Sequence, residues 1–278
     1  MVRFISLTSR GRLSGYERLH NTTGQTGQAQ ETGRKNTMPS METAKSAIES
    51  LYRIFERYPL RAKIPGCDDC ISETDEQRLH NRPLRKLTSE DLDHYVWHAI
   101  HLWGDFQDFK HFLPRLFELE AFDEVPWNPE ILFGRLRSAS WETWPESEKT
   151  ALQTLFETLW NDVLTGHSTR FDVDTLLCGL GCAMDRIEPY LEQWLNVRTP
   201  LAWKSLEEFV RQNIYGIQKK GKLQNSFWEQ APMQKVVAWL KSDSTLKTLE
   251  ALLNQQSVPN EELYNSWQWL RDAFGRMT

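Results

Sequence analysis

The chain has 278 residues, of which 40% are apolar, 26% charged and 12% aromatic, ordinary globular proportions in a length that can bury a sizeable core. Its formal charge of −5 is uneven, +4 over residues 1–40 and −9 over the remainder, and so acidic a body disfavours nucleic acid as a partner. No run approaches the roughly 18–20 apolar residues of a helical membrane span, and the four cysteines are too few for a disulfide scaffold, which points to a reducing, cytoplasmic setting.

Residues 1–40 differ in character from the rest of the chain. The stretch 21–37 is rich in Thr, Gln, Gly and Asn and nearly devoid of apolar side chains, so it cannot offset the entropy of ordering. The segment reads as a disordered extension or as a start assigned too early, with Met38 and Met41 as the alternatives. Its Arg-rich, acid-poor first twenty residues also allow a cleaved organellar presequence.

From residue 41 the spacing predicts helix after helix. Ala44, Ala47, Ile48, Leu51 and Phe55 share one helical face, which stops before Pro59. Thr88 and Asp91 form a capping box for a helix with Leu92, Tyr95, Val96, Ala99, Leu102 and Trp103 on its apolar face. Gly104 breaks that run and Asp105 caps the next helix, with Asp108 near its positive end and Pro114 as an expected kink. Asn128-Pro129 and Trp144-Pro145 place proline at first helical positions, and the second opens a helix closed by Gly166. Further helices are expected near 172–183, 185–196, 203–214, 229–241, 243–254 and 259–274. The run Lys219-Lys220-Gly221-Lys222 reads as a solvated, loop-like stretch.

Alternating β-branched runs are missing, and the 12 tryptophans follow no fixed period and read as core filler at helix contacts. The fold class is therefore all-α: about eleven helices in antiparallel pairs, for which a HEAT- or armadillo-like superhelical stack is one available arrangement. Residues 41–278 are expected to form a single domain, with 197–202 as the place where a subdivision could fall.

Several stretches resemble a family of uncharacterised, mostly bacterial proteins. They are Gly66-Cys67-Asp68-Asp69-Cys70, Arg82-Pro83-Leu84-Arg85-Lys86-Leu87, Thr88-Ser89-Glu90-Asp91-Leu92 and Trp103-Gly104-Asp105. Asp108-Phe109-Lys110-His111-Phe112-Leu113-Pro114-Arg115, Phe117-Glu118-Leu119, Trp141 and Trp144-Pro145 extend the likeness over a little more than a third of the chain. The resemblance implies a bacterial cytosolic protein. It supplies no mechanism, and its motif contains the first cysteine pair but not Cys178 and Cys182.

Cys67-x-x-Cys70 is the most chemical feature of the sequence. Two thiolates on one turn could hold zinc if two further ligands converged, and His80 is the nearest candidate in sequence, with Cys178 and Cys182 able to present a second pair from one helix face. A redox pair is the second reading, and two reduced cysteines packing a tight loop is the third. His94, His98, His101, Asp105 and Asp108 would share a face if one helix ran through Gly104; the competing reading is a solvated face. Arg115 and Glu118 can pair at i, i+3 beside Pro114, and with Trp103, Asp105, Asp108 and His111 they mark a candidate binding surface.

No phosphate-binding glycine loop, nucleophile elbow, kinase signature or His-Glu-x-x-His helix occurs. The expected function is a non-enzymatic helical interaction or scaffold protein whose partner is another protein. The alternatives are a zinc or redox-metal protein using Cys67 and Cys70, and a helical enzyme with Trp103, Asp105, His111, Arg115 and Glu118 around a cavity.

Overall fold

The structure, a computed structural model, describes residues 41–67, 69–167, 170–255 and 260–274, with the side chains of 41–43 excepted. Contacts divide the chain into Met1–Thr37 and Met38–Thr278. The expectations for residues 1–40 lie outside the described residues.

The chain is all-α. Among the described residues there are twelve α-helices, packed antiparallel: α1 Met41–Phe55, α2 Glu73–His80, α3 Ser89–His98, α4 Phe106–Phe122, α5 Pro129–Ser138, α6 Glu146–Thr165, α7 Val173–Ala183, α8 Glu188–Asn196, α9 Pro200–Lys220, α10 Gln230–Leu240, α11 Asp243–Asn254 and α12 Glu261–Phe274. Short 3₁₀ turns cover Leu84–Lys86 and Trp141–Thr143, and the β-type pairing consists of isolated bridges at Trp103.

Several helix starts follow directly from local chemistry. Thr88 accepts from the Asp91 amide while Asp91 accepts from the Thr88 amide, and Asp105 and Asp108 do the same at α4, so two orphan donors are satisfied at each start. Pro129 opens α5, where its missing N–H costs nothing. At α6, Pro145 stands one position outside the helix instead, because the 3₁₀ turn at Trp141–Thr143 carries the chain into it. α4 continues through Pro114, which is buried on its inner side.

Three further elements differ from the sequence reading, the first two of them at the site. The short helix α2 is not among the expected elements; its only buried residue is Leu79, so it offers almost no apolar period, although Ser72 and Asp75 form a capping box at its start. α3 ends at His98 rather than at Trp103, because Ile100 turns left-handed at φ 73° and sends the chain back on itself. α9 runs on to Lys220, so Lys219 and Lys220 form its basic last turn and are not loop residues.

One continuous core reaches from Ala47 to Leu270. The strongest helix pairings are between distant elements: α1 on α6 and α4, α5 on α7, and α9 on α12. A buried ionic cluster ties the first of these together. Glu148 of α6 is fully buried; its Oε2 lies 2.7 Å from Lys110 Nζ of α4, and its Oε1 accepts from Tyr58 Oη at 2.6 Å and from Arg57. The Lys110 ammonium also lies 4.1 Å from the centre of the Trp144 ring, which helps to hold its charge out of water.

Candidate functional site

The motif residues gather where the loop after α1 meets the turn between α3 and α4. The Cys67 amide donates to the Leu102 carbonyl at 2.9 Å, the Gly104 amide donates to Pro65 at 2.6 Å, and Gly66 pairs with Trp103 in an antiparallel bridge. This clip leaves little room for a side chain on Gly66 and none on Gly104. A Cβ on Gly66 would lie 3.2 Å from the Trp103 ring, and one on Gly104, held at φ 73°, would lie 2.8 Å from Asp108 Oδ2.

Glu76 of α2 fastens the clip from below. Its Oε1 accepts from the Ile64 amide at 2.7 Å and lies 3.0 Å from His80 Nε2, while its Oε2 accepts from the Trp103 indole at 3.0 Å. Trp103 is thereby buried and its one polar atom satisfied.

Arg61 reaches Asp105 at 2.7 Å and Asp108 at 3.2 Å. Burial works to raise the Asp105 carboxyl, but Arg61 and the amides of Gln107 and Asp108 outweigh it and hold the group below the usual carboxylate range. Asp108 is more deeply enclosed, and there burial prevails and pushes its carboxyl up. Both aspartates serve the start of α4.

Farther along α4, His111 Nδ1 lies 2.8 Å from the Tyr58 carbonyl, and burial pushes its imidazole below the usual range. Arg115 donates to the Leu87 carbonyl at 2.8 Å and to Glu118 at 2.6 Å, so the expected i, i+3 pair is formed. Glu118 also accepts from Tyr52 at 2.5 Å, and Arg85 lies 3.6 Å over the Tyr52 ring while it grips Glu49 with two bonds of 2.6 and 2.8 Å. Beside these residues runs an open groove of about 530 Å³ between α1 and the Pro83–Arg85 turn, floored by His111 and Pro114. Of the six candidate surface residues, His111 alone lines it; Trp103, Asp105, Asp108, Arg115 and Glu118 spend their polar atoms on the fold.

Cys67 and Cys70 are free thiols. The Cys67 carbonyl accepts the amides of Cys70 at 3.0 Å and Ile71 at 2.9 Å, a helix-like turn that sets both thiols on one loop. The Cys70 thiol and the amides of Asp69 and Cys70 push the Cys67 thiol down, while Cys70 is pushed up by its bond to Cys67 and by burial. Cys67 and His80 line one cavity of about 480 Å³ with Ile64, Ile71 and Glu76, and Cys70 stands outside it on the surface.

Among the described residues, no three His, Cys, Asp or Glu side chains converge as a metal site would require. No family model, curated protein or solved structure matches this chain.

The remaining candidates are dispersed. Cys178 and Cys182 are buried in α7, where the Cys182 thiol donates to the Phe227 carbonyl at 3.2 Å and the Cys178 thiol is pushed far up by Cys182 and burial. His94 stacks edge-on against His98 at 4.3 Å and lies 3.2 Å from Asp75, while His101, past the end of α3, meets Ser138 at 3.2 Å. The early stop of α3 removes the single face on which three histidines and two aspartates would have aligned. Sequence reasoning missed Glu76, Arg61 and Tyr58. The Ser72–Asp75 capping box was a legible sign of α2, but nothing in the sequence joins Glu76 to a tryptophan 27 positions away.

Proposed function

We propose that this chain is a non-enzymatic, cytosolic helical protein that receives a segment of another protein in the groove between α1 and α4, and that it belongs with the mostly bacterial family its motif resembles. The carrying observation is how the motif's polar groups are used. Trp103, Asp105, Asp108, Arg115 and Glu118 are each committed to helix starts, backbone carbonyls or one another, and Glu76 is held by Trp103, Ile64 and His80. A reacting substrate needs a base, a nucleophile or a charge donor with unspent valence, and these residues offer none.

The groove itself has the make-up of a recognition surface. Tyr52, Tyr58, Pro59, Pro83 and Pro114 give stiff apolar walls, and the lining carries both signs of charge, Arg53 and Arg85 with Glu49 and Glu56. Four unpaired cysteines support the cytosolic assignment, and no described helix is long and apolar enough to cross a membrane.

The test is photocrosslinking in the native host from the full chain, with a benzophenone side chain at Arg53 in the groove or at Lys247 on α11. A discrete adduct from position 53 that is absent from position 247 is expected. Equal labelling from both, or reproducible turnover of a small molecule by the purified protein, would overturn the reading.

A further inference from the structure

The cysteine pair of the loop clip has no part in the groove, and four observations give it a chemistry of its own. The turn at Cys67 is closed by an i→i+3 amide bond of 3.0 Å. Such turns keep their end Cα atoms within about 7 Å, near the outer limit of what a disulfide spans. Both thiols are free, and no third ligand converges on them among the described residues. Access is graded as well, because Cys70 is exposed and Cys67 forms part of a cavity wall. Cys178 and Cys182 provide the internal contrast, since they lie one helical turn apart on α7 but inside the core.

We propose that Cys67 and Cys70 are a redox-active dithiol that exchanges with low-molecular-weight disulfides such as oxidised glutathione. In the first step the Cys67 thiolate attacks one sulfur of the disulfide, forming a mixed disulfide and expelling one thiolate. In the second, Cys70 gives up its proton and attacks Cys67 Sγ, closing the Cys67–Cys70 bond and expelling the second thiolate, which takes up a proton. The protein dithiol loses two electrons and two protons, and the small disulfide is reduced to two thiols.

Cys67 is the attacking sulfur because the neighbouring Cys70 thiol and the Asp69 and Cys70 amides push its thiol down, which favours its anion. Oxidation acts on the clip directly: the Cys67 amide holds Leu102, and the neighbouring Gly66 packs against Trp103.

The sequence provides a clean readout, because trypsin releases both cysteines in one peptide, Ile64 to Arg78, free of Cys178 and Cys182. The full chain, reduced and purified without added metal, is equilibrated in glutathione buffers from fully reduced to fully oxidised, acid-quenched, alkylated and digested. A single transition is expected, in which this peptide loses two alkyl groups and the mass of two hydrogens while Cys178 and Cys182 stay reduced. In matched variants that keep the native dichroism spectrum, Cys70→Ser traps glutathione on Cys67 about tenfold faster than Cys67→Ser traps it on Cys70. The proposal is overturned if the peptide stays alkylatable in the most oxidising buffer, or if it accumulates two glutathione adducts. It is equally overturned if Cys70 is the faster thiol, or if the purified chain carries one equivalent of zinc that blocks exchange and is lost in Cys67→Ser.

Discussion

Glu120 lies wholly inside the protein, where it accepts from the Trp127 indole at 2.6 Å and from Arg170 at 3.0 Å. Burial outweighs both partners and pushes its carboxyl up to about 7, from 4.5 in an unstructured chain. Between those values the folded protein holds a proton that the unfolded chain has released, so stability falls as pH rises through this window. Asp162, pushed up to about 6 by burial, acts in the same direction. His111, pushed down by burial, opposes them below about pH 6.5, so urea midpoints should drop between about pH 6.5 and pH 8, and Glu120→Gln should flatten the drop by roughly 1–3 kcal/mol. Parallel pH profiles for the two proteins would contradict this. Glu148 poses the converse case, a carboxylate whose removal strands its partners. Glu148→Gln should cost on the order of 3 kcal/mol by leaving the buried Lys110 cation uncompensated. Adding Lys110→Met should restore much of the loss in the same urea titration, and a double variant no more stable than the single would refute the cause given.

At the scale of elements, α7 shows how two glycines in one helix can be told from a third elsewhere. A Cβ on Gly181 would stand 2.6 Å from the buried Trp228 ring, one on Gly179 would meet Phe133 at 3.0 Å, and one on Gly134 of α5 would meet nothing within 4 Å. Gly134→Ala should thus stabilise by up to about 1 kcal/mol through helix propensity. Gly181→Ala should cost about 1–3 kcal/mol by overpacking. Melting temperatures that shift in the same direction for both would overturn the distinction. What was legible in the sequence obeys the same logic of local against distant causes. The capping box at Thr88, the cap at Asp105, the proline at α5 and the glycine closing α6 are chemistry within one turn, and each appears where the spacing put it. α2 lacks a period to read, and the apolar spacing overstates α3 because Leu102 and Trp103 continue it. Trp103 is buried all the same, but by Gly66 and Glu76 from another part of the chain. The candidate site fared likewise. Its residue list is largely the loop clip and the face of α4, where the local partners (Asp105 with Asp108, Arg115 with Glu118) were legible and the distant ones (Arg61, Glu76, Tyr58, Leu87) were not.

The molecule as a whole bears out the all-helical reading because periodic burial is a property of entire segments, which boundary errors of five or six residues do not disturb. Residues 197–202, the place named for a subdivision, are spanned by bonds from both sides. Thr199 Oγ1 donates to the Leu164 carbonyl at 2.7 Å, and the Trp194 indole donates to Ala202 at 3.0 Å. The unit Met38–Thr278 should accordingly unfold in one transition, with tryptophan emission and helical dichroism superimposing against urea. Two separated transitions would reveal independent halves.

The tryptophans carry a further consequence. The indoles of Trp141, Trp144, Trp160 and Trp194 donate to the carbonyls of Ala183, Ala139, Tyr190 and Ala202, and each bond pins a side chain across the end of a helix. Their ring protons are therefore natural isotope clocks, one at each of four joints. Placed in heavy water, the protein should surrender the proton of the half-exposed Trp97 at once and those four only as each joint breathes. Magnetic resonance of a few well-separated signals would then rank the seams of the structure by how often they part.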